Sequence, residues 1–135
     1  MKIYFKYFIF LLPMLIIGCH YHRANMVIKN ETNRQICYST LAKNADNKYY
    51  EIAAGGKINS HNQDSPIVRG CSDSFKIDIN SYSDKLIYIA FYNTEEQQYV
   101  FKNIDSMLNT GKLKLMKYSK KELDNMNWVI TYSEK

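Results

Sequence analysis

Apolar and polar positions along this chain change period several times, and each change predicts an element. Met26-Val27-Ile28 is a short apolar run closed by the turn-formers Asn30, Thr32 and Asn33. Gln35 to Leu41 alternates, with Ile36, Tyr38 and Thr40 on one side, and predicts a strand. Lys43 to Lys48 is a polar loop; Tyr49 to Ala53 resumes a strand, which Gly55-Gly56 breaks. Asn59 to Gly70 shows no periodicity and is expected to be the longest and most mobile loop. Phe75-Lys76-Ile77-Asp78-Ile79 alternates strictly, as a half-buried strand would. Leu86 to Tyr92 is apolar throughout and predicts a central strand covered on both faces.

A helical period follows. Thr94-Glu95-Glu96-Gln97 has the form of a capping box, and Val100, Phe101, Ile104, Met107 and Leu108 make one apolar stripe. Gly111 stands where a left-handed stop belongs. Leu113 to Tyr118 returns to strand. Ser119-Lys120-Lys121-Glu122 is a second capping box, opening a turn or two that carries Leu123 and Met126 inward. The chain closes on a β-branched and aromatic strand, Trp128 to Tyr132, with Trp128 read as a structural anchor of the core. About seven strands joined mostly by short turns define a mainly β, α+β protein. The expected architecture is an antiparallel β-sandwich-like or rolled sheet with one amphipathic helix.

The N-terminus follows a different logic. Lys2 and Lys6 precede a charge-free stretch, Tyr7 to Gly18, and a small residue then stands before Cys19: the three parts of a secretory signal peptide. A membrane-spanning helix needs about 20 apolar residues; this run holds 12 and is interrupted by Pro13. A buried core segment would need a turn folding it back, and His20 to Asn25 offers only a polar stretch. Ile16-Ile17-Gly18-Cys19 resembles the lipobox of bacterial lipoproteins. That resemblance implies cleavage after Gly18, a covalent lipid on Cys19 and, since His20 rather than Asp follows the cysteine, the outer membrane. The expected organisation is a signal peptide over 1–18, a tether over 19–25 and one β-rich domain over 26–135.

Charge and cysteine usage fit that compartment. The chain carries 18 Lys and Arg against 13 Asp and Glu, and two of the lysines leave with the signal. The densest basic stretch, Lys112 to Lys121, interleaves lysines with Leu113 and Leu115 as the solvent face of an edge strand does. No nucleic-acid partner is expected. Once Cys19 is lipidated, Cys37 and Cys71 remain, and an oxidising compartment makes a disulfide between them the natural pairing, with two free thiols as the alternative. His20, His22 and His61 fit no zinc spacing, so neither a metal nor a cofactor is expected.

Catalytic candidates are thin. Ser60, His61, Asp64 and Ser65 share the long loop, but loops are rich in such residues, and no GxSxG, SxxK or HExxH occurs. Glu95 and Glu96 sit in a helix's first turn, where they complement its dipole. No enzyme is expected. The C-terminal half, with its Tyr118-Ser119…Leu123 turn and terminal Asn127-Trp128-Val129-Ile130-Thr131-Tyr132, resembles a group of small uncharacterised bacterial lipoproteins. The resemblance covers about the last fifty residues and the lipobox, and it implies location and fold rather than an activity. Tyr92-Asn93-Thr94 stands where that group has an acidic loop. A non-enzymatic envelope binding or assembly module, with another envelope protein as partner, is the leading expectation. A carbohydrate or peptidoglycan binder using Tyr49, Tyr50 and Tyr82 is the alternative. A lysozyme-type inhibitor suits the mildly basic charge less, because lysozymes are themselves basic.

Overall fold

The apolar run Leu86–Tyr92 lies where its pattern demands, with strands on both edges and packed layers on both faces. The computed structural model describes residues 20–96 and 104–134. Its strands are β1 (Tyr21–Arg23), β2 (Val27–Asn30), β3 (Ile36–Lys43), β4 (Tyr49–Ala53) and β5 (Lys57–Ile58). They continue with β6 (Gln63–Asp64), β7 (Ile67–Arg69), β8 (Leu86–Tyr92), β9 (Leu113–Ser119) and β10 (Val129–Tyr132). The helices are α1 (Ser74–Asp78), α2 (Ile104–Asn109) and α3 (Lys120–Asn125). The protein is mainly β, with antiparallel sheets and a few short helices, as the periodicity predicts.

The five-stranded sheet runs β4-β3-β8-β9 with β5 also on β3, and all its pairings are antiparallel. The pleat of β8 divides its side chains between two cores. Ile87, Ile89 and Phe91 enter a large cluster with Met26, Ile28, Tyr38, Phe75, Ile79, Leu123 and Ile130. Tyr88, Ala90 and Tyr92 face the other way, into a cluster with Cys37, Leu41, Leu113 and, from α2, Ile104 and Met107. Fully burying each aliphatic or Phe side chain contributes about 1.5–3 kcal/mol, so this strand stabilises both cores at once. β9 is an edge strand, as read from sequence, but its exposed Lys114 and Lys117 are three residues apart and so lie on opposite faces of the sheet rather than on one solvent face.

Gly55 is required where β4 gives way to β5. A Cβ there would lie 1.9 Å from the Tyr38 carbonyl oxygen. Beside it β3 has an irregular register between Thr40 and Leu41, and buried Thr40 keeps a hydroxyl without a hydrogen-bond partner among the described residues. An unsatisfied buried hydroxyl costs about 1–3 kcal/mol. Thr40→Val should therefore raise stability by about 1 kcal/mol, read as an upward shift in urea midpoint; a loss would mean that the hydroxyl has a partner.

Four expectations change. Phe75 to Ile79 is helix α1 with a following 3-10 turn, not a strand. Phe75 and Ile79 are four apart, share a helix face and are buried, while Ile77 points outward at 65 % exposure. Five alternating residues satisfy both periods. The segment 59–70 is not one long loop, because it contains β6 and β7. Residues 20–25 are not a free tether: β1 pairs with β7, and backbone bonds from Gly70 to His20, Ala24 to Pro66 and Asn30 to Asn62 make 20–30 and 62–70 a nearly continuous bent ribbon. Finally, β10 pairs with β2 in parallel, which its remote position in the chain and the intervening α3 permit.

The predicted Gly111 stop and the second capping box are present, whereas the Thr94 hydroxyl donates to Gln35 Oε1 and caps no helix among the described residues. Gly111 adopts φ 70°, its N–H donates to Leu108, and the Lys112 N–H donates to Met107, the two bonds of a Schellman stop. Thr94–Glu96 forms a 3-10 turn; Gln97, Val100 and Phe101, part of the predicted helix, lie outside the described residues. Ser119 and Glu122 form a reciprocal capping box at α3. Leu123 is fully buried as expected, but Met126 is exposed.

Candidate functional site

Two surfaces stand out, at opposite ends of the ribbon. At the first, a buried asparagine builds a polar pole. Asn30 Nδ2 donates to the carbonyls of Arg34 (2.7 Å), Ile58 (3.1 Å) and Asn59 (3.1 Å), and its Oδ1 accepts from the Thr32 N–H and hydroxyl. Every polar atom of that side chain is used, so the turn 30–34 and the loop 58–59 are held as one unit. Ser60 Oγ donates to the Thr32 carbonyl at 2.9 Å, and His61 Nε2 lies 2.9 Å from Asn33 Oδ1. Arg34 bonds Asn93 Oδ1 and pairs with Glu134.

This pole carries two open clefts that meet at Glu31. One, of about 400 Å³, is lined by Lys29, Asn30, Glu31, His61, Asn62 and Gln63. The other, of about 450 Å³, is lined by Thr32 to Arg34, Ser133 and Glu134 in addition to Glu31. Both charges and several amides face the same space. Such a surface hydrogen-bonds a polar partner; it has no aromatic floor on which a sugar face would stack.

The loop residues weighed for catalysis are committed to different partners. Ser60 holds a carbonyl and His61 an asparagine, while Asp64 accepts from Tyr38 Oη (2.9 Å) and Arg23 (2.6 Å). The structure does not assemble them into a relay. Tyr38 is 1 % exposed, and burial followed by its bond to the Asp64 carboxylate raises its pKa far above the ordinary phenol value. Tyr38→Phe should cost about 1.5–3 kcal/mol, since the lost bond is to a charged group. Its raised pKa makes this stabilisation complete below pH 10 and lost as the pH climbs towards the folded value. Urea melts of both proteins at pH 7 and at pH 11 would check it; equal stability at pH 7 would remove the bond's role.

Of the tyrosines weighed for sugar stacking, Tyr49 packs edge-on to Tyr88 at 5.1 Å under Lys43, and Tyr50 lies edge-on to Tyr82 at 6.5 Å. None of the three lines either polar cleft. Trp128 is buried in the larger core, as its anchor role requires. Glu96 pairs with Lys112 at 2.9 Å rather than meeting Glu95 in a carboxylate pair. Among the described residues no group of three His, Cys, Asp or Glu side chains is placed to hold a metal.

Cys37 and Cys71 are free thiols, so the disulfide favoured by the cysteine count is not formed. Cys37 is buried towards α2, its sulfur 3.8 Å from Thr94 Oγ1. Cys71 is exposed and precedes α1, whose Phe75 and Ile79 pack in the opposite layer. Maleimide without reductant should label Cys71 at once and Cys37 only on unfolding; protection of both would restore the bridge. Cys19, the proposed lipid site, lies outside the described residues.

The second surface is the outer face of β1–β7. Non-hydrogen-bonded neighbours bring Tyr21 opposite Arg69 and Arg23 opposite Ile67. Tyr21 is 67 % and Ile67 43 % exposed. The clearest signal for this face was the odd apolar residue in each polar stretch, which sequence reading passed over. Comparison with protein families, curated proteins and solved structures returns no match to this chain.

Proposed function

We propose that this chain is a lipid-anchored bacterial envelope protein whose domain is a non-enzymatic binding or assembly module, held on the outer membrane through Cys19. The observation that carries the reading is the Ile16-Ile17-Gly18-Cys19 signal, followed after a single residue by a paired strand at Tyr21. A signal segment leading directly into a folded domain suits an anchor at that boundary. No helix among the described residues is long and apolar enough to span a bilayer.

The polar pole supports the binding role. Its backbone is fixed by Asn30 and its two clefts present Lys29, Glu31, His61, Arg34 and Glu134, chemistry for a polar protein partner. The carbohydrate reading would draw on Tyr49, Tyr50 and Tyr82, and none of these lines the clefts of the pole. Mass spectrometry of the natural protein should give an acylated Cys19 as its first residue. A photo-crosslinker at Asn33, used in native membranes, should join one discrete envelope protein, whereas one at Lys117 on the edge strand should not. Identical products from both positions would remove the pole as the binding surface.

A further inference from the structure

Resting on the lipid anchor just proposed, we infer that the outer face of the β1–β7 ribbon lies against the lipid headgroups and holds the domain upright, with the polar pole turned away from the membrane. Chain length argues first. Cys19 is two residues from Tyr21, at most about 7 Å of extended chain, so a lipid attached there brings this face to the bilayer surface. The ordering of residues 20–23 by β7 removes the slack a flexible tether would supply.

Composition argues next. Four side chains form the face: Tyr21, Arg23, Ile67 and Arg69, with no carboxylate among them. Tyrosine and isoleucine suit the boundary between headgroup and acyl chain, and arginine suits phosphate. The Arg23 side chain is 69 % exposed while also pairing with Asp64 at 2.6 Å, a contact that aims it without burying it. Geometry then fixes the other end. The ribbon bends at Asn25, out of the plane of the β1–β7 face, and its second arm ends at Asn30 and Asn62 beside the clefts. The binding surface is thus displayed to the compartment rather than to the lipid.

The test uses the full acylated protein in vesicles of phosphatidylethanolamine and phosphatidylglycerol carrying a headgroup spin label. A fluorophore on exposed Cys71, next to Gly70 at the ribbon's end, should be strongly quenched by the vesicles. The same fluorophore on Asn33→Cys in a Cys71→Ser background should not. Exchanging Arg23 and Arg69 for Gln should weaken the seated state about fivefold for each charge, and Tyr21→Ser with Ile67→Ser should equalise the two positions. Equal quenching of acylated, vesicle-bound protein at both positions overturns the docking and leaves the anchor standing. Equal quenching together with a dimeric mass by light scattering in detergent assigns the face to a second copy of the chain instead. Protein that carries no acyl mass and does not float with vesicles ends both proposals.

Discussion

Trp128→Ala should lower folding stability by about 3–5 kcal/mol, the cost of emptying a large aromatic site in a core that only partly relaxes. Three further features place this position at the upper end. The indole is 5 % exposed, its Nε1–H donates to Asp124 at 2.9 Å, and Lys76 lies 5.8 Å from the ring centre. The side chain also holds a strained turn. Asn127 and Trp128 have φ of 52° and 58°, successive left-handed residues that carry the chain from α3 into β10, closed by the Trp128 N–H on the Leu123 carbonyl at 2.8 Å. Each such residue costs on the order of 1–3 kcal/mol and persists only where its surroundings over-determine it. Burial of the indole supplies that determination, so its loss should loosen α3 and β10 together. Against a usual domain stability of about 5–15 kcal/mol this is a large fraction. Urea unfolding followed by circular dichroism measures it, because this is the chain's single tryptophan and its fluorescence leaves with it. A change below about 1 kcal/mol would contradict its place in the core.

The other large effect is on location. Cys19→Ser should move the protein from the membrane fraction to the soluble fraction almost completely. Each acyl methylene contributes about 0.8 kcal/mol of membrane affinity, and two or more chains hold stably where one does not. Four side chains on the ribbon face cannot replace that, so the unacylated variant should release within a wash. It should also stay folded, since the β1–β7 pairing and both cores lie within the described domain and contain none of the signal residues. Flotation of the variant with membranes in the same proportion as the wild type would overturn the anchor.

The elements legible in the sequence were those whose pattern is set by burial on a single scale. The run Leu86 to Tyr92 has no polar residue to place on a solvent face, and it became the covered central strand. The Ser119–Glu122 box and the Gly111 stop were legible because caps are local hydrogen-bond chemistry, satisfied within a few residues. The polar pole was only half legible. Asn30 and Thr32 read as turn-formers, which they are, but nothing near them in sequence foretells that Asn30 would reach Ile58 and Asn59 from 28 and 29 residues away.

Local pattern thus determined the mainly β class, the central strand, the edge strand β9, the Gly111 stop, the Ser119 cap and the core tryptophan. Tertiary contacts decided the rest. Phe75 to Ile79 became a helix because one apolar face was needed over the sheet, and a period of two and a spacing of four share the same end residues. Residues 20–25 and 62–70 are too polar to signal strands singly; each is ordered by the other's backbone, a pairing between segments some forty residues apart. Cys37 and Cys71 stayed apart because the sheet between them has two faces, and counting thiols carries no information about which face each one joins.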